Sequence, residues 1–161
     1  MHAREVVLAA TLAALPSAAN AFIGLSPSSA PAGSQITATF TVAHGCAGSP
    51  TVRLRIAMPS GVGAVKALEA PGWKTSAAYA SAADDAPVSE VVWLGGKLEP
   101  ETPGEFSVAL RLPDAPGAML YFPVTQDCEK GTIRWAEMPS ATTRAGSLRL
   151  PAPALSLSKR P

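Results

Sequence analysis

The chain has 161 residues, 47% of them hydrophobic and 16% charged, with a formal net charge of +1. That length predicts one domain, and 13 glycines with 16 prolines suit strands and turns, while the lack of a G-X-Y or heptad period excludes collagen and coiled coil. The 13 basic residues are scattered and balanced by 12 acidic ones, so the clustered positive charge that holds nucleic-acid phosphates is missing.

Residues 1–21 read as a signal peptide. Arg4 precedes an apolar run from Val6 to Leu15, too short to span a bilayer. Pro16-Ser17 breaks the run, and Ala19-Asn20-Ala21 offers small residues at alternate positions for cleavage between Ala21 and Phe22. The mature product would have 140 residues, 12 basic and 11 acidic, with His44 as its one histidine. No later apolar stretch reaches ~18 residues, so the mature chain is expected to lack a transmembrane segment and to be periplasmic or secreted. In such an oxidising compartment Cys46 and Cys128 read most simply as a disulfide.

Period-two alternation dominates the mature sequence. A weak strand at Ile23–Leu25 precedes the clearest one, Gln35–Val42, where Ile36, Ala38, Phe40 and Val42 alternate with polar residues. Val52, Leu54, Ile56 and Met58 repeat the pattern until Pro59, and Phe106, Val108, Leu110 and Leu112 until Pro113, because proline cannot donate to a ladder. Weaker strands are expected at Val62–Lys66, Trp73–Tyr79, Glu90–Leu94, Leu120–Gln126, Thr132–Glu137 and Ala154–Leu157. Turns are expected at Pro31-Ala32-Gly33, Pro71-Gly72, Gly95-Gly96, Pro103-Gly104 and Lys130-Gly131 among others. Ser76–Pro87, rich in alanine and serine and carrying Asp84-Asp85, reads as a mobile loop at a sheet edge, and Ser158–Pro161 as a frayed tail. Short strands at this spacing with no helical stripe predict an all-β antiparallel sandwich or barrel over residues 22–157.

Catalytic signals are weak. Only His44 offers a base for a nucleophile, no G-x-S-x-G elbow or H-E-x-x-H helix is present, and the chain reads as a non-enzyme. Glu99, Glu101 and Glu105 lack the spacing of a calcium loop and read as a solvated turn. His44-Gly45-Cys46 with Cys128 leaves two readings open: a bridge between two loops, or an imidazole and thiolates that take Cu(I) or Zn. Trp93 reads as core, whereas Trp73 and Trp135 have a second reading as the lining of an exposed site.

Several segments together resemble the YcnI-like family of exported copper-binding domains. They are Ala30-Pro31-Ala32-Gly33-Ser34, His44-Gly45-Cys46 with Gly48-Ser49-Pro50-Thr51, Pro71-Gly72-Trp73-Lys74, Leu120-Tyr121-Phe122-Pro123-Val124 with Cys128-Glu129-Lys130-Gly131, Arg134-Trp135, and Pro151-Ala152-Pro153-Ala154-Leu155. The resemblance implies an immunoglobulin- or cupredoxin-like β-sandwich that handles Cu(II). It also implies a site built on a histidine that becomes residue one after cleavage, with an acid and a tryptophan close by. Here Phe22 stands where that histidine would be, and Ser28 and Ser29 occupy the early region where a carboxylate ligand would lie. The donors left for copper are the α-amine of Phe22, His44 and Glu137, with Trp135 beside the metal. The expected function is therefore exported, non-enzymatic copper binding or handling at an altered site, with copper ion and an envelope copper-handling protein as partners. The alternative is a metal-free periplasmic interaction module of the same fold.

Overall fold

In the 35–42 segment every second side chain is apolar, and the chain folds so that Ala38, Phe40 and Val42 are buried completely. The computed structural model describes residues 22–161, so the expected signal peptide, residues 1–21, lies outside the described residues. Twelve strands succeed one another in order: β1 (Gly24–Ser26), β2 (Ser29–Pro31), β3 (Gln35–Val42), β4 (Thr51–Ala57), β5 (Gly63–Ala67), β6 (Lys74–Tyr79), β7 (Val88–Leu98), β8 (Gly104–Arg111), β9 (Met119–Tyr121), β10 (Val124–Cys128), β11 (Thr132–Trp135) and β12 (Ala154–Ser158).

Two antiparallel sheets, ordered β1-β3-β8-β5 and β11-β10-β4-β7-β6, supply the two inner faces of the core. Phe40 and Phe106 come from the first, and Leu54, Ile56, Trp93 and Val124 from the second, each one at the inward parity of its strand. Trp93 and Phe106 meet edge to face at 5.5 Å between ring centroids, and Trp93 Nε1 donates to the Leu68 carbonyl at 3.0 Å. A third sheet, β2-β12-β9, closes one side, with Leu155 and Leu157 buried; its β2–β12 pair runs parallel, unlike every other ladder among the described residues.

Three expected boundaries shift for physical reasons. The single strand expected at Leu120–Gln126 divides into β9 and β10 because Pro123 has no N–H to continue a ladder, and the Phe122 N–H turns to Pro153 instead. The expected Gly95-Gly96 turn is instead a bulge inside β7, where the pairing steps from Thr51↔Leu98 to Arg53↔Leu94. Gly95 takes a φ of +78°, and a Cβ on Gly96 would collide with the Trp73 ring, which stacks edge to face on Phe106 at 5.1 Å. Ser76–Tyr79, where the expected strand Trp73–Tyr79 and the expected loop Ser76–Pro87 overlap, belongs to β6, an edge strand exposed along its whole length, and the Ala80 N–H closes the hairpin on the Pro87 carbonyl at 2.9 Å. Ser158 completes β12, and Arg160 in the expected frayed tail reaches Asp114 at 3.2 Å.

Candidate functional site

The predicted donors gather around one end of the sandwich only in part. β1 pairs antiparallel with β3, Gly24 facing Thr41, so Phe22, two residues before β1, and His44, two residues after β3, flank the same end of this strand pair. Phe22 is 45% exposed and His44 half-buried.

Beneath His44 is a buried polar cluster. Gln126, fully buried, donates from Nε2 to the His44 carbonyl and to Thr51 Oγ1, both at 2.7 Å, and its Oε1 accepts from Trp135 Nε1 at 3.2 Å. Gln126, Thr51 and Trp135 are buried away from water, where an unmade hydrogen bond costs roughly 1–3 kcal/mol. No buried side-chain nitrogen or oxygen among the described residues lacks a partner. Sequence reasoning missed Gln126. Its signal was parity: it shares the inward face of β10 with Val124 and Cys128.

Cys46 and Cys128 are joined as a disulfide, and the Cys46 N–H also donates to Cys128 Sγ at 3.2 Å. The bridge occupies both sulfurs, which removes the soft-metal reading of His44-Gly45-Cys46 in this state. Gly45 is required where it stands, because a Cβ there would run into the Ser49 carbonyl, while its N–H donates to Pro100 at 3.1 Å. The turn from Cys46 to Ser49 is closed by their mutual backbone bonds, and the Ser49 hydroxyl accepts from the Lys130 N–H at 2.8 Å.

Trp135 and Glu137 lie further along. Trp135 is only 4% exposed, which corrects its reading as the lining of an exposed site; its backbone pairs with Val124 while its indole leans back to Gln126. Glu137 succeeds it, away from His44, and its Oε2 accepts from the main-chain N–H groups of Arg149 at 2.7 Å and Leu150 at 3.1 Å. Ile133 is the residue facing Gln126, and Glu137 lies four positions further on, beyond the end of β11. Phe22 and His44 thus flank one end of the β1–β3 pair, Trp135 is linked to the His44 carbonyl through Gln126, and Glu137 bonds the Arg149 and Leu150 amides. Among the described residues no three of His, Cys, Asp and Glu converge on a point that would hold a metal ion. A cation at this corner would have to use the Phe22 amine and the His44 imidazole, two nitrogen donors that suit Cu(II). No helix among the described residues is long and apolar enough to cross a membrane.

The sequence matches the family described as "Domain of unknown function (DUF1775)" over residues 22–157. The chain belongs to the DUF1775 family. In this DUF1775 domain the matched segment takes in β1 to β11 and all of β12 but its last residue. An uncharacterized protein from Nocardia farcinica with an immunoglobulin-like fold is similar at 23% identity, covering 85% of this chain and 98% of that one, with a TM-score of 0.69. At that identity the likeness shows an immunoglobulin-like fold for the DUF1775 domain, in agreement with the expected sandwich. A Corynebacterium diphtheriae protein described as membrane anchored aligns at 12% identity over 91% of this chain and 37% of its own, with a TM-score of 0.44. No curated protein matches the sequence.

Proposed function

We propose that this DUF1775 protein is an exported, non-enzymatic copper-handling protein that takes Cu(II) at the Phe22–His44 corner once the chain is cleaved after Ala21. The observation that supports the reading is the antiparallel β1–β3 pair, since Phe22 precedes β1 and His44 follows β3 at the same end of it. A free α-amine with an adjacent imidazole is a strong donor pair for Cu(II), the divalent first-row ion that nitrogen ligands hold tightest. The disulfide supports export, since such bridges persist in oxidising compartments. Glu137 is left out of the donor set because its Oε2 is held by the Arg149 and Leu150 amides beyond the end of β11. Trp135 acts as a reporter, coupled through Gln126 to the His44 carbonyl.

Protons compete for both donors. Metal ligation requires deprotonated donors, so Cu(II) binding is expected to strengthen as pH rises. The test is Cu(II) titration of the chain beginning at Phe22, followed by electron paramagnetic resonance and tryptophan fluorescence. One equivalent with nitrogen hyperfine coupling and quenched fluorescence is expected, lost in His44→Ala and after N-terminal acetylation. A signal without nitrogen coupling, or none at micromolar metal, overturns the reading.

One observation favours the second reading, a metal-free interaction module: β6 is a sheet edge whose six residues are all exposed, open to pairing with another chain's strand. Co-purification of an envelope protein regardless of copper, abolished by proline at Ala77, is the outcome that would select it.

A further inference from the structure

Residues 22–161 contain three methionines, Met58, Met119 and Met138, and all three line one depression of about 420 Å³. They arrive from separate parts of the chain: Met58 comes directly after β4, Met119 opens β9, and Met138 stands three residues beyond the end of β11. The depression lies at the far end of β4 from Thr51, which pairs with Cys128, so it is remote from the disulfide and the Phe22–His44 corner. Met119 is 49% exposed and Met138 44%, and they are two of the four large apolar side chains that the described residues leave exposed. Single exposed apolar residues need no explanation. Convergence of all three methionines from distant positions on one hollow does.

The main chain around each methionine is held, and the side chains of Met119 and Met138 are exposed while Met58 is partly buried against the core. The Met58 N–H donates to the Ser89 carbonyl at 2.9 Å, and Met119 faces Ser156 in the β9–β12 ladder. Before Met138, Glu137 is fastened by its carboxylate to the Arg149 and Leu150 amides and by its own N–H to the Leu150 carbonyl at 3.0 Å.

The rest of the lining includes Leu120, Tyr121, Pro59 and Pro123 and contains no carboxylate or imidazole. Hard cations such as Mg²⁺ and Ca²⁺ find no charged oxygen there, whereas neutral thioethers are the donors that soft ions select. With Cys46 and Cys128 joined to each other, the three thioethers are the soft sulfurs still free to bind among the described residues. We propose that Met58, Met119 and Met138 form a second metal site, selective for a soft monovalent cation, Cu(I). The site uses none of the Phe22–His44 donors and goes beyond the Cu(II) reading, so each can fail alone.

The test uses the chain from Phe22 with ¹³C-labelled methionine methyls and Ag(I) as a redox-inert probe. Because a thioether carries no competing proton, binding is expected at about pH 5 as well as about pH 7.5, in contrast to an amine–imidazole site. One equivalent of Ag(I) is expected to shift all three methyl resonances at both values. Met119→Leu and Met138→Leu, exposed and close in volume, should each weaken Ag(I) about tenfold or more, with an unchanged melting temperature and unchanged Cu(II) titration. Cu(I) under ascorbate, in competition with a Cu(I) chelator, should show the same order. Shifts in fewer than three methyls, loss of binding at about pH 5, or wild-type affinity in both leucine variants overturns the proposal.

Discussion

Replacing Gln126 by leucine strips partners from three groups at once: the Trp135 N–H, the Thr51 hydroxyl and the His44 carbonyl. The side chain is wholly buried, so water cannot fill in, and Gln126→Leu is expected to lower stability by roughly 2–4 kcal/mol, read by urea denaturation with Trp135 fluorescence as the signal. Trp135 shows why side-chain identity alone misleads. Its neighbour Arg134 suggests solvent, yet adjacent residues on a strand point to opposite faces, and the β11 pattern buries Trp135 because Arg134 is outside. Glu137, legible as an acid near a tryptophan, serves the main chain through two amides that lie more than ten residues further on in sequence. Sequence proximity put these residues into one candidate site; hydrogen bonding assigns them different tasks.

The loops at the ends of β3 and β10 are stitched by the Cys46–Cys128 bridge across 82 residues of sequence. Cys46→Ala with Cys128→Ala is expected to cost roughly 2–5 kcal/mol, measured as a lower urea midpoint with an altered slope from the freer unfolded chain. Beside this bridge, Lys97 near the end of β7 reaches Glu129 at 3.0 Å and Glu99 at 3.6 Å. Its hydrogen bond to Glu129, then attraction to Glu129 and Glu99, raise its ammonium above the usual 10.5. A raised folded value contributes stability that is complete below the unfolded value, ~10.4, and is lost as pH rises through the folded one. The melting-temperature difference between wild type and Lys97→Met should therefore be flat from neutral pH to about pH 10 and shrink above it, and it should shrink with added salt because the pair is exposed. At this scale alternation made β3, β4 and β8 legible, since each buries one face. The Gly95-Gly96 bulge was hidden, because its cause, the Trp73 ring over Gly96, comes from another part of the chain.

Across the whole molecule, the central strands β3, β8, β4 and β7 carry most of the core, while β6 is exposed along its length at an edge. Amide exchange is expected to be slowest in β3 and β4 and far faster on the unpaired side of β6, and equal protection of both would contradict this ordering. Fold class was legible from turn spacing and period two; pairing order was not. β2 is three residues, Ser29-Ala30-Pro31, too short to show a period, and its parallel partner β12 lies at the other end of the described chain. The methionine hollow was equally illegible, since nothing in the linear positions 58, 119 and 138 brings them together before the sheets are folded.

The Glu137 clamp also fixes where length can change. Leu150 and Ala152 are bonded to Glu137, so the chain between them leaves the sandwich and returns to the point of departure, with residues 139–147 exposed or half-buried. A strap closed at its base is thermodynamically indifferent to what hangs from its middle, since doubling a loop costs only about 0.6 kcal/mol. A peptide tag or a small domain inserted after Thr142 should therefore fold as a passenger, and the melting temperature of the fusion is the measurement that decides it.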